Sequence, residues 1–157
     1  MILSSWKGDN FMAETYSATE VTALCRRYPG VDSYYPFGSQ PECFRVGGKI
    51  FAEVYAQGVK GALTILVDSQ IPPERISPMV TLRCEPSFSD FMRQQYPKAV
   101  LRPYHCPPAQ QPYANTVLLD GSVPEEIMED MVTHAYRYIL NKLPRRIRDE
   151  IEMELRT

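Results

Sequence analysis

Asn115-Thr-Val-Leu-Leu-Asp-Gly-Ser-Val-Pro-Glu-Glu-Ile127 reads as a buried strand that turns at Asp120-Gly121 and enters a helix carrying its own start signal. Ser122 is placed to cap that helix, with Glu125 three positions on reaching back to the cap's amide, and Pro124 in the first turn needs no intrahelical donor. The cassette is structural and holds no chemistry of its own.

Downstream, Ile127, Met131, Ala135 and Tyr138 fall along one stripe of a helix spanning roughly Val123 to Lys142, with Met128, Val132 and Ile139 beside them, so one broad face is core. Pro144 breaks this helix, and Arg145 to Arg156 reads as a charged terminal helix. Upstream, Ser17-Ala-Thr-Glu20 is a second capping box, after which Val21, Leu24, Cys25 and Tyr28 share a face until Pro29-Gly30 ends the helix. Arg26 and Arg27 lie where the macrodipole favours cations. Phe44 and Val46 alternate with Arg45, and Ile50, Ala52 and Val54 with Lys49 and Glu53, across Gly47-Gly48; Phe51 breaks the alternation. This is a hairpin with a tight glycine turn.

Leu63-Thr-Ile-Leu-Val67 and Val80-Thr-Leu-Arg-Cys84 read as two further strands, separated by a proline-bearing stretch from Ser69 to Pro78. Pro86 to Tyr96 carries Phe88, Phe91 and Met92 at helical spacing, and Val100-Leu-Arg102 leads into a loop, Pro103 to Pro112, too proline-rich to be regular. The expected fold is α+β in two layers, an antiparallel sheet with helices packed on one face. Residues 1–16 are expected to form an irregular N-terminal extension and residues 17–157 a single domain.

At 157 residues and 44% hydrophobic, the chain can bury one sizeable core. A formal net charge of −2 supplies no global positive field to gather phosphates, so any nucleic-acid surface must be local. No basic start followed by a long apolar stretch opens the sequence, and no segment approaches membrane-spanning length, which points to a cytoplasmic protein with no membrane partner. Cys25, Cys43, Cys84 and Cys106 lack paired short spacing and read as reduced thiols.

Tyr28-Pro-Gly-Val31, Tyr35-Pro-Phe-Gly38, Phe44-Arg-Val-Gly-Gly-Lys-Ile-Phe-Ala52, Leu82-Arg-Cys-Glu-Pro86, Gln95-Tyr-Pro97, Asn115-Thr-Val-Leu-Leu-Asp-Gly-Ser-Val123 and Asn141-Lys-Leu-Pro144 follow one another in an order and spacing that resembles the MmcQ/YjbR family. The resemblance covers nearly everything from Ser17 to Pro144, and it rests on the ordered combination of motifs. It implies a two-layer α+β fold related in topology to secretion chaperones, and a proposed double-wing mode of DNA binding. The chain departs from the family at Arg102-Pro-Tyr-His-Cys-Pro-Pro-Ala-Gln-Gln-Pro-Tyr113. That loop lacks the family's Lys, second His and Trp, residue types that contact phosphates and stack on bases. Gly58 to Pro78 is also longer than the usual connection, with room for an edge strand or a flap.

Lys49 at the hairpin tip, with Lys98, Arg102 and His105, forms the candidate DNA-contacting set. Lys142, Arg145, Arg146 and Arg148 make a second basic cluster, which i,i+4 pairing with Asp149, Glu150 and Glu152 would cancel. His105 beside Cys106 cannot complete a metal site from adjacent positions, and reads as fixing its loop. His134, near the apolar stripe, reads as a neutral packed imidazole. Glu125, Glu126, Glu129 and Asp130 complement the helix dipole, while Tyr34-Tyr-Pro-Phe37 reads as closing the end of a core. There is no nucleophile elbow, phosphate-cradling glycine loop or His-Glu helix motif. The expectation is a non-enzymatic protein without catalytic residues, metal or cofactor, binding DNA weakly and nonspecifically through its hairpin wing. The alternative is a protein- or small-ligand-binding module on the same fold, pairing with itself or a partner.

Overall fold

The structure is a computed structural model that describes residues 16–155. Helix α1 (Ala18–Arg27) is followed by strands β1 (Val31–Tyr34), β2 (Glu42–Val46) and β3 (Lys49–Tyr55), and then by the short helix α2 (Ala62–Leu66). Strand β4 (Met79–Arg83), helix α3 (Pro86–Gln95), strand β5 (Val100–Leu101) and a 3-10 helix (Pro108–Tyr113) come next. Strand β6 (Ala114–Leu118) and helices α4 (Glu125–Leu140) and α5 (Arg145–Leu155) complete the described residues. The expected N-terminal extension lies, but for a buried Tyr16, outside the described residues.

The strands form one six-stranded sheet in the order β1-β2-β3-β4-β6-β5. Every neighbouring pair is antiparallel. Phe44 pairs with Ala52 and Arg45 with Ile50, so β3 advances two residues where β2 advances one. Phe51 is the extra residue of a β-bulge, which accounts for its place in an otherwise polar position of the alternation. The extra step turns its ring to the helical layer, where it is fully buried.

Ser17 caps α1 as its sequence indicates: its Oγ accepts from Glu20 N at 3.3 Å and its own amide donates to Glu20 Oε1 at 2.8 Å. The start of α4 is built differently from expectation. Pro124 is the N-cap, no side chain caps the helix, and the Ser122 amide donates instead to Asp120 Oδ1 at 2.9 Å. The Asp120 side chain therefore closes an Asx turn over Gly121 (φ 88°), and this local bond takes the place of the capping box.

Leu63 to Leu66 lies in a helix, not the expected strand. A five-residue run with four apolar residues does not separate the two by periodicity. The local backbone decides: Gly61 takes φ 85° at the helix N-cap, and Thr64 Oγ1 donates to the Ile71 carbonyl at 2.7 Å, folding the segment onto itself. The loop after Pro103 contains one regular piece, the 3-10 helix. Strand β1 carries no apolar alternation, and its burial is only partial.

Two apolar clusters fill the fold. The larger joins Phe44, Val46, Phe51, Val54, Val80, Leu82 and Val117 of the sheet to α1, α3, α4 and Ile151 of α5. Residues alternating with these, Tyr55, Met79, Leu101 and Leu118, meet Ala62 and Leu63 of α2 in a smaller cluster on the opposite sheet face. Long helices thus cover one face, and α2 covers one end of the other.

Candidate functional site

The four predicted DNA contacts come from both ends of the sheet. Lys49 is the exposed first residue of β3. Lys98 is exposed in the turn closed by the Ala99 amide donating to the Tyr96 carbonyl at 3.1 Å. Arg102 donates Nη2 to the Ile65 carbonyl at 3.1 Å, bracing α2. His105 takes φ 50° with its ring 4.1 Å from that of Tyr104, a loop-fixing contact. Strand register sets Lys49 at the end of the sheet where β4 finishes and β6 begins, whereas Lys98 precedes β5 at the other end and across the sheet.

Lys49 instead meets other partners. Lys49, Arg83, Gln110, Tyr113, Tyr138 and Lys142 line a cavity of about 400 Å³ between the end of the sheet, the 3-10 helix and the C-terminal turn of α4. The hairpin tip is brought there because Gly47, at φ 58°, packs under Leu143 so closely that a Cβ would lie 2.6 Å from its Cδ1. Lys142 Nζ sits 4.7 Å from the Tyr138 ring centroid. Arg83 Nη2 is 3.7 Å from Glu53 Oε2, a loose pairing. Burial raises the pKa of Glu53, and Arg83 opposes the shift. Tyr113 is fixed through its backbone: its carbonyl accepts from Cys84 N at 2.9 Å, and Arg93 donates to the flanking Gln111 and Ala114 carbonyls at 3.2 and 3.0 Å. Partial burial lowers the pKa of Arg93 without discharging it.

The remaining sequence candidates are structural. Arg145, Arg146 and Arg148 pair with Asp149, Glu150 and Glu152 at 3.6 to 3.7 Å, one helical turn on. His134 stacks on Phe88 at 4.0 Å and accepts a long 3.5 Å bond from Glu85 N. Among the described residues no group of His, Cys, Asp and Glu is placed to hold a metal ion, and no helix is long and apolar enough to cross a membrane.

The aromatic loop does not close a core, because Tyr35 is 52% and Phe37 79% exposed. It borders a second cavity, of about 470 Å³, lined by Thr22, Gln40, Glu42, Val54 and Gln57. Glu42 is already satisfied by Arg26 at 2.6 Å and Ser33 Oγ at 2.8 Å. Gln40 is likewise spent, accepting from Gln57 N and donating to the Gly58 carbonyl.

An all-antiparallel sheet with its long helices on one face defines a two-layer α+β protein. The YjbR family model matches residues 26–138, and the chain belongs to the YjbR family. The fold is similar to that of the Deinococcus radiodurans protein DR2400, which carries a DUF419 domain: 20% identity, 87% of this chain and 88% of that one covered, TM-score 0.67. It is also similar to a Pseudomonas syringae protein solved by the Northeast Structural Genomics Consortium, at 12% identity over 85% and 99% of the two chains, with TM-score 0.55. No curated protein matches the chain.

Arg83 and Tyr113 carry no functional signal in the sequence, Tyr138 reads there as part of the core stripe but is only half-buried and lines the cleft, and Lys142 groups with the terminal arginines. The one local sign is a cation at each of two element ends, Lys49 and Lys142; nothing in either segment links it to the other.

Proposed function

We propose that this protein is a non-enzymatic cytoplasmic DNA-binding protein whose contact surface is the Lys49–Arg83–Lys142 cleft, in place of the dispersed set of Lys49, Lys98, Arg102 and His105. One observation carries the reading: cations from β3, β4 and the end of α4 line a single concavity. Phosphate oxygens are the ligand such a site favours, since each ammonium is a compact charge with several donors. With a net charge of −2 the attraction is local, so binding is weak, indifferent to sequence and steeply salt-dependent. The cytoplasmic assignment is supported by four free cysteines, Cys25, Cys43, Cys84 and Cys106, of which the first three are buried.

The test is titration of labelled DNA with Lys49→Gln/Lys142→Gln beside Lys98→Gln/Arg102→Gln. The first pair should weaken binding and reduce the salt slope by roughly 0.7–0.9 for each phosphate no longer neutralised, and the second pair should leave both nearly unchanged. No binding at micromolar protein in low salt, or equal weakening in the two variants, overturns the reading. The alternative, a small-ligand- or protein-binding module, draws support from the cavity beside Tyr35 and the exposed Phe37. It gains if Phe37→Ser alters self-association while DNA is not bound.

A further inference from the structure

Building on the DNA reading of this cleft, we propose that its ligand is single-stranded DNA, held by one base stacked on Tyr113 while Lys49 and Lys142 take the neighbouring phosphates. A cavity of about 400 Å³ is of the size that receives one small-molecule-sized group. An unpaired nucleotide can enter it. A duplex keeps its bases stacked and paired inside the helix, and could offer the cleft only its backbone.

The aromatic residues divide the work unequally. Tyr138 already has Lys142 over its ring at 4.7 Å and lies parallel to the His134 ring at 6.1 Å. Tyr113 is 43% exposed, and among the described residues no ring or cation is stacked against it. Its backbone is nonetheless held on both sides, through the Cys84 amide and the Arg93 guanidinium. An exposed aromatic face on a fixed backbone is a preorganised stacking platform, and base stacking tolerates any sequence because every base has a π face.

The charges suit a strand better than a free nucleotide. Lys49 belongs to the sheet and Lys142 to the helical layer, so the ammonium groups reach the cleft from separate elements. Arg83 is partly engaged with Glu53, which leaves the lysines as the principal phosphate ligands. A single terminal phosphate uses one such group well, while a strand threading the cleft uses both.

Three probes decide the matter: a fluorescent ten-residue oligothymidylate, a duplex of equal length and thymidine monophosphate, each titrated at low salt. The oligothymidylate should bind at least about tenfold tighter than the duplex, and the mononucleotide should compete only weakly. Tyr113→Ala should weaken strand binding by about tenfold or more, the range of one base–aromatic stack. Tyr113→Phe, which retains the ring, should bind like the parent, and unchanged urea midpoints would show that both variants fold.

Duplex binding equal to or tighter than that of the single strand, with Tyr113→Ala silent, overturns the single-strand inference and leaves the DNA reading in place. Monophosphate binding as tight as that of the oligomer overturns the strand in favour of a nucleotide. If neither DNA form binds, the inference and the reading beneath it both fail.

Discussion

Phe51 meets Tyr136 edge-on, with ring centroids 5.6 Å apart and planes at 81°. Tyr136 in turn stacks on Tyr28 at 4.4 Å and donates its hydroxyl to the Pro29 carbonyl at 2.8 Å, so one aromatic series ties β3, α4 and the end of α1 together. Because Phe51 is fully buried, Phe51→Ala should cost about 3–5 kcal/mol through reduced burial and the cavity left behind. Phe51→Leu should cost much less. Urea denaturation checks both; a destabilisation below about 1 kcal/mol for the alanine variant would show that the bulge can collapse around the gap.

The two serines that precede helices should behave differently. Ser17→Ala removes the acceptor for the Glu20 amide and should cost about 1 kcal/mol. Ser122→Ala should stay within about 0.5 kcal/mol of the parent, since Ser122 contributes only its backbone amide to the Asp120 bond. Asp120→Ala should be the more damaging change in that turn. The ordering of the three midpoints is the readout.

Glu42 is held between Arg26 and Ser33 with its side chain 9% exposed, whereas Arg26 is 55% exposed. Arg26→Met should therefore destabilise by about 2 kcal/mol, because it strands a carboxylate that is shielded from water. Pairing it with Glu42→Gln should recover part of the stability. A double-mutant cycle with no coupling would refute the pairing.

Stability should fall on mild acidification through His134. Burial holds this imidazole below its ordinary value of 6.5, against the weaker opposing pull of Glu85. The unfolded chain therefore takes up the proton first, and the contribution is complete above 6.5 and lost as pH falls through 6.5 towards the depressed folded value. Glu53 has the opposite sign: its raised pKa gives a contribution that is full below 4.5 and declines as pH rises through the folded value. His134→Gln isolates the first effect, and should flatten the decline in urea midpoint between about pH 7 and pH 5. An equally steep decline in the variant would assign it elsewhere.

What could be read in the sequence was what neighbouring residues decide among themselves. The Gly47-Gly48 hairpin, the Ser17–Glu20 box and the stripe of α4 each lie within a few turns or pairs of chain. Leu63 to Val67 failed because a short run with four apolar residues in five fits either a strand or a helix, and glycine conformation made the choice. The capping box at Ser122 failed because the Asp120 carboxylate competed for the same serine amide and won. The cleft was legible only as two unconnected cations, Lys49 and Lys142. Arg83, Tyr113 and Lys142 reach it by sheet register and helix packing, which pairwise spacing in the chain does not encode.

Gly47 under Leu143 also bears on how the hairpin can act. A wing that probes a DNA groove presents a tip clear of the body, but this tip lies against the turn between α4 and α5, where a methyl group on Gly47 would meet Leu143 Cδ1 at 2.6 Å unless that side chain shifted. Gly48, next to it, has open space around its missing side chain. The hairpin tip thus rests on the turn that joins the terminal helices, and any larger residue at position 47 would have to displace the Leu143 side chain or separate the two segments.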